Sequence, residues 1–264
     1  MKNILVPVGS TENGITNLRY AVQLASMSGA KVYLINIYKE FSKAGGLNKV
    51  TQVALDDNEA QLAEVQAAVD VKDVEVVARA IKGNPFEGIA RVAKQLEIDL
   101  MVLSPQSLDI RDEVYLGTTT SRLVRSTDIP ILVIPHGYIF RKIESILLAV
   151  KRGYFEREGA LEPLKTMARL FSAKVNLLLV RTADVADDDT PMDAELQELQ
   201  AYTMVTDNAT IYQGVLEHFQ ENNPDMLCVL RRKRGFFKKL WESNAVMKSQ
   251  FFTSKPLLIL RGEQ

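Results

Sequence analysis

Short apolar runs alternate with longer amphipathic stretches along the whole chain. In the first half the apolar runs predict strands at 3–8, 32–38, 74–81, 99–103 and 130–134, and the stretches between them predict helices at about 13–28, 50–69, 85–96 and 117–126. The strands are continuously apolar, which is typical of a sheet covered on both faces. The alternation of strand and helix therefore predicts an α/β fold with a doubly wound, mostly parallel sheet.

The second half repeats the pattern of the first. The run at 3–8 recurs 142 positions later, and Ala30-Lys31-Val32 recurs 143 positions later as Ala173-Lys174-Val175, in each case after a helical stretch of about 16 residues. Three further residues recur 126 positions on, with Gly88, Asp99 and Pro130 matching Gly214, Asp225 and Pro256. The falling offset places a 17-residue shortening between the second strand and the third helix of the second copy, where a loop loses length at little cost.

The repeat predicts two tandem domains of five strands each, at 1–137 and 143–264, because 264 residues exceed the usual size of one core. Strands of the second copy are expected near 145–150, 175–180, 201–206, 226–230 and 257–260. Its second helix is expected to be short and to start near Asp193, after an acidic loop.

Composition and charge narrow the class of protein. The 32 Lys and Arg nearly balance the 33 Asp and Glu, so no overall field favours nucleic acid or an anionic membrane. The single cysteine, Cys228, excludes an internal disulfide, and its place in an apolar strand predicts a buried, inert thiol. The start of the chain lacks the pattern of a signal peptide and no apolar run reaches 18 residues, so a cytoplasmic location without a membrane span is the expectation.

Candidate chemistry in the first copy lies in the loop after the fourth strand. Ser104 and Ser107 are followed, after nine residues, by Gly117-Thr118-Thr119 at the start of a predicted helix. A glycine and hydroxyl residues at a helix N-terminus are suited to holding phosphate oxygens. The same residues can instead serve only to turn the chain and cap the helix, and the pattern alone leaves both interpretations open.

These motifs and the repeat resemble the universal stress protein family, specifically its tandem two-domain members. The resemblance implies an adenine nucleotide alpha hydrolase-like fold with strand order 3-2-1-4-5. ATP-binding members carry a Pro-Val-Asp-like motif on strand one and a Gly-x2-Gly-x9-Gly-Ser/Thr motif after strand four. In this chain the second motif is Ser104-x2-Ser107-x9-Gly117-Thr118, which keeps the spacing and loses two glycines.

The resemblance also implies which residues would contact a nucleotide in the first copy. The strand-one motif maps to Pro7, Val8 and Gly9, with glycine where the family has Asp. Backbone groups at Val8 and Ile37 would frame a base, and Ser104, Ser107, Gly117, Thr118 and Thr119 would hold the rest of the ligand. We therefore expect ATP, ADP or AMP as the candidate ligand of domain 1 in a stress-response binding and signalling module. The alternatives are a weak ATPase that uses domain 1 and a protein-interaction module without nucleotide binding.

The second copy has diverged further from these motifs. Lys151-Arg152-Gly153 follows its first strand, and Glu242 or Ser243 stands where the last glycine motif would begin, so no nucleotide is expected there. The 231–239 loop holds six cationic side chains with Phe236 and Phe237, which fits a nucleic-acid patch or a solvated surface loop. We favour the surface loop and consider nucleic acid an unfavoured partner, because the net charge is only −1.

No catalytic or metal constellation is evident in the sequence. His136 and His218 lack acidic or cysteine neighbours at ligand spacing, so a structural or exposed role is expected for both, and no metal is predicted. The acidic run 187–189 is interpreted as a solvated loop. An enzyme is therefore the less favoured class.

The resemblance also implies how the two copies associate. Family members dimerise through their last strands, so the segments 129–134 and 256–260 are expected to pair as an internal pseudo-dimer. Further homodimerisation is left open.

Overall fold

The computed structural model describes residues 1–38, 48–105, 122–124, 127–155, 157–182, 191–209, 211–231 and 255–261. These residues divide into two compact units. The first consists of the described residues up to Phe140, and the second of those from Arg141 onward.

The first unit contains a parallel five-stranded sheet in the order β3-β2-β1-β4-β5. Its strands are β1 (Asn3–Pro7), β2 (Lys31–Tyr38), β3 (Val76–Lys82), β4 (Leu100–Leu103) and β5 (Ile131–Val133). The central strand is the most deeply buried, with Ile4, Leu5 and Val6 fully inaccessible to solvent. The predicted α/β class and the strand order 3-2-1-4-5 are confirmed.

Three helices connect these strands, α1 (Thr11–Ser28), α2 (Asn48–Ala67) and α3 (Pro85–Gln95). Ser10 caps α1 and Asn84 caps α3, each with a side-chain oxygen that accepts a backbone N–H of the first turn. Gly29 ends α1 with φ of 71°, a left-handed conformation that glycine adopts without strain. Residues 122–124 are helical and belong to the predicted fourth helix, whose other residues lie largely outside the described part.

The second unit repeats this architecture, in the order β8-β7-β6-β9-β10. Its strands are β6 (Ser145–Val150), β7 (Lys174–Arg181), β8 (Gln200–Asp207), β9 (Met226–Arg231) and β10 (Leu257–Arg261). Its helices are α4 (Glu162–Phe171), α5 (Ala194–Leu199) and α6 (Ile211–Asn222). Cys228 is buried in β9, and burial raises the pKa of its thiol, as expected for an inert cysteine.

Equivalent residues of the two units make equivalent hydrogen bonds. The Asp99 carboxylate accepts the backbone N–H groups of Lys2 and Asn3 at 2.5 and 3.0 Å. The Asp225 carboxylate accepts those of Glu144 and Ser145 at 2.9 and 3.1 Å. The matched aspartates therefore fix the entry to the central strand of each sheet.

The first helix of the second unit is shorter than the sequence predicts. A helical stretch of about 16 residues was expected before Ala173, and this expectation is wrong because α4 has 10 residues. Gly159 has φ of 70°, and Pro163 lies in the first turn of α4. A left-handed glycine followed by proline favours a helix start at that point over a longer helix.

No helix in the described part of the chain combines the length and apolar character needed to cross a membrane.

Candidate functional site

The loop from β1 to α1 forms the centre of the candidate site in the first unit. It consists of Val8, Gly9 and Ser10 and places the N-terminus of α1 at the carboxyl end of the central strand. The Ser10 hydroxyl accepts the N–H of Asn13 at 3.4 Å, while the Ser10 carbonyl accepts that of Gly14 at 2.8 Å. The first N–H groups of a helix attract anionic groups, so this edge has the polarity that a phosphate or carboxylate ligand requires.

Two of the predicted strand-one residues have different surroundings. Val8 is buried, and its N–H donates to the carbonyl of Ile35 at 2.7 Å, so that N–H is used within the sheet. Gly9 faces open space, because a Cβ added there would have no atom within 4 Å, and its φ is not left-handed. The position where the family carries Asp is therefore able to hold a side chain.

Ile37 lies at the carboxyl end of β2 and packs against α3. A Cβ at Gly88 would come within 2.7 Å of the Ile37 Cδ1, so glycine is what allows this close approach. The side chain of Ile37 is thus fixed beneath α3, and its backbone remains at the carboxyl edge predicted to frame a base.

Ser104 follows β4 directly and is tied to α1. Its hydroxyl donates to the Asn17 side-chain oxygen at 2.8 Å, and Asn17 is 2% exposed. Sequence reasoning missed Asn17. The available signal was a polar residue next to the buried Leu18 and one helical turn after Asn13, which also contributes to this edge.

A chain of side-chain hydrogen bonds borders the same edge on the α2 side. The buried Asn36 donates to Gln61 at 2.6 Å, and Gln61 donates to the Thr11 hydroxyl at 3.3 Å. The Thr11 hydroxyl donates in turn to the Glu64 carboxylate at 3.4 Å. Sequence reasoning missed these four residues, because their spacing along the chain does not reveal that they meet.

His136 closes the edge next to β5. Its Nδ1 lies 2.5 Å from the Asn13 side-chain oxygen, which confirms a structural role for this histidine. Two turns along α1, Tyr20 stacks edge-on against Phe140 with ring centroids 4.9 Å apart. Burial, and the nearby Tyr138, raise the pKa of the Tyr20 phenol.

The remaining predicted ligand residues, Ser107, Gly117, Thr118 and Thr119, lie outside the described residues. Directly after that segment, the Arg122 guanidinium stacks over the Phe86 ring at 3.9 Å. Phe86 belongs to the first turn of α3.

The equivalent edge of the second unit is covered by its own chain. The Gly153 carbonyl accepts the N–H of Asp193 at 2.8 Å, and the Asp193 carboxylate accepts the N–H of Phe155 at 2.8 Å. A Cβ at Gly153 would meet the Met192 backbone at 3.3 Å. Because α4 starts only at Glu162, the first two turns that α1 has in the other unit are replaced by this covered segment.

Other predicted features of the second unit fall largely outside the described part of the chain. The 231–239 loop is described only at Arg231, the last residue of β9, and the acidic run 187–189 is not described. Within the described residues, no three His, Cys, Asp or Glu side chains converge as metal ligands would.

Comparisons with known proteins agree with this architecture. A curated universal stress protein of Methanocaldococcus jannaschii is 19% identical over 138 residues, covering 50% of this chain and 81% of that protein. The crystal structure of a universal stress protein from Archaeoglobus fulgidus matches with a TM-score of 0.70 and 14% identity, covering 99% of this chain and 97% of the other. A further universal stress protein, solved in complex with cAMP, is 17% identical with a TM-score of 0.42, covering 52% and 98%.

The model of the universal stress protein family matches residues 1–135, about half of the chain. The match covers β1 to β5 together with the β1–α1 loop and Ser104. The chain belongs to the universal stress protein family.

Proposed function

We propose that the protein is a stress-response binding and signalling module that takes an adenine nucleotide in its first unit and none in its second. The observation that carries the proposal is the contrast between the two edges. Gly9 faces open space before a capped helix N-terminus, whereas Gly153 is covered by Met192 and Asp193. Carboxyl ends of parallel strands beside a helix N-terminus are where open α/β sheets bind ligands.

The predicted ligand residues are compatible with this placement. Pro7, Val8 and Gly9 end the central strand, Ile37 ends its neighbour, and Ser104 follows β4. We propose that the ligand extends from these residues towards Ser107, Gly117, Thr118 and Thr119, whose hydroxyls and backbone amides would hold phosphate. ATP, ADP and AMP are the candidate ligands.

Isothermal titration calorimetry tests the proposal. ATP, ADP, AMP and cAMP are titrated into the full chain, and we expect one nucleotide bound per chain. Gly117→Val should abolish the heat, since a branched side chain would block backbone approach to phosphate. The matched variant Ser243→Val, 126 positions later, should leave the heat unchanged.

Two outcomes would change the assignment. If the wild type gives no heat with any of these nucleotides, the nucleotide site does not exist and a protein-interaction role remains. Phosphate release measured on the same sample, and lost in Gly117→Val, would make the protein a weak ATPase.

We also propose that the chain consists of two tandem domains, 1–137 and 143–264, whose last strands, at 129–134 and 256–260, pair within one molecule. One cysteine introduced into each strand, in a Cys228→Ala background, should form a disulfide within the monomer. Only intermolecular disulfides would indicate that these strands pair between chains instead.

A further inference from the structure

The hydrogen-bond chain along α2 runs in one direction. Asn36 donates to Gln61, Gln61 donates to Thr11, and Thr11 donates onward to Glu64. The first member is 7% exposed, so its amide is held in the interior of the unit. The series therefore starts in the core and ends on a carboxylate at the surface.

Glu64 is suited to accept a ligand's hydrogens. Its side chain is exposed, and only one carboxylate oxygen accepts the Thr11 hydroxyl. An ionised carboxylate has about four lone-pair sites, so most of its accepting capacity remains for other donors. Thr11 is the first residue of α1, where the helix dipole stabilises a negative charge.

The position of Glu64 relates it to the residue missing from strand one. Thr11 lies two residues after Gly9, at which the family carries an aspartate and this chain has open space. A carboxylate that is already oriented next to this gap can accept the donors that an aspartate side chain would have accepted.

We propose that Glu64 takes the place of the missing strand-one carboxylate and accepts an O–H or N–H donor of the nucleoside part of the ligand. The proposal rests on the nucleotide site proposed above and names its specificity-determining residue. Gln61 and Thr11 act as positioning residues, because they orient the carboxylate without contacting the ligand.

The second unit supports the assignment by contrast. At the offset of 143, Leu179 stands at the position of Asn36 and Tyr154 at that of Thr11. The helix α5 that follows β7 has only 6 residues, whereas α2 has 20. The unit with a covered edge thus also lacks the side chains from which such a series is built.

The test compares adenosine and AMP as calorimetric probes of the full chain. Glu64→Gln keeps size and exposure but removes the charge, and we expect it to weaken both ligands by the same factor, about tenfold, as for loss of one charge-assisted hydrogen bond. Glu59→Gln, on another face of the same helix, should change neither affinity. Gly9→Asp combined with Glu64→Gln should restore binding of both.

The outcomes separate this inference from the proposed function. Wild-type binding with unchanged affinities in Glu64→Gln would overturn the role of Glu64 alone. Stronger AMP binding with unchanged adenosine binding would also overturn it, because the carboxylate would then merely repel phosphate. Failure of the wild type to bind either probe would overturn the nucleotide site and the role of Glu64 together.

Discussion

The Ser104 hydroxyl donates a 2.8 Å hydrogen bond to the side-chain oxygen of Asn17, a residue almost completely buried in α1. The bond joins the end of β4 to the helix that starts at the carboxyl end of β1. Ser104 stands at the first glycine of the family's phosphate motif. The departure from the motif thus has a structural role, because the hydroxyl satisfies a buried amide.

Removal of that hydroxyl should destabilise the first unit. Ser104→Ala leaves the buried Asn17 oxygen without its donor, at a cost of about 1–3 kcal/mol in the free energy of unfolding. Urea unfolding measures the loss, and a double-mutant cycle with Asn17→Ala isolates the coupling. Purely additive single and double variants would show that the two side chains do not interact.

The two glycines that the repeat matches should be equally intolerant of alanine. A Cβ at Gly88 would lie 2.7 Å from the Ile37 Cδ1, and one at Gly214 would lie 2.9 Å from both Val180 methyl groups. Each alanine variant should lose about 1–3 kcal/mol of unfolding free energy through overpacking.

Matched variants make this prediction specific. Ile37→Val removes Cδ1 and should recover part of the loss in Gly88→Ala, whereas Gly9→Ala should be tolerated because its surroundings are open. Denaturant midpoints measure all three. A loss in Gly9→Ala as large as that in Gly88→Ala would contradict the geometry.

Asp99 and Asp225 should contribute similarly to their own units. Each carboxylate accepts two backbone N–H groups at the start of a central strand. Replacement by Ala removes a charged acceptor, so we expect each variant to lose about 1.5–3 kcal/mol. Hydrogen exchange should localise the loss to β1 in one variant and to β6 in the other. Global and identical exchange patterns would be inconsistent with two separate contributions.

Tyr20 should make the first unit sensitive to alkali. Burial raises the pKa of its phenol above the unfolded value of about 10, so the folded unit retains the proton where the unfolded chain releases it. Its contribution is complete below pH 10 and is lost as pH rises further. Tyr20→Phe keeps the ring contact with Phe140 and should reduce the decline in unfolding free energy above pH 10.

A neutral-pH measurement provides the control for that variant. The Tyr20 hydroxyl is buried and lacks a hydrogen-bond partner, so its removal should leave stability unchanged or raise it by up to about 1 kcal/mol. A clear loss of stability at pH 7 would show that the hydroxyl is hydrogen-bonded after all.

Local patterns predicted the fold because each β-strand and most helices bury a regular set of apolar positions. The matches of Gly88 with Gly214 and of Asp99 with Asp225 anticipated shared packing and hydrogen bonds, since both residue types have roles set by the backbone. The shortened α4 escaped prediction because its apolar residues keep helical spacing, while Gly159 decides where the helix starts.

The candidate site was predictable only where the chain itself places residues together. Val8 and Gly9 were found because they follow a strand directly. Asn17, Gln61 and Glu64 were not, because their partners lie 87, 50 and 53 residues away along the chain. Such contacts depend on how helices pack on the sheet, which no local pattern specifies.

The central claim is that a nucleotide binds at the carboxyl edge of the first unit and not at that of the second. Amide ¹H–¹⁵N spectra of the full chain titrated with AMP test it most directly. The signals of Gly9 and Ser10 should shift, while those of Gly153 and Phe155 should stay in place. Unchanged Gly9 and Ser10 signals at saturating AMP, or shifts confined to Gly153 and Phe155, would contradict it.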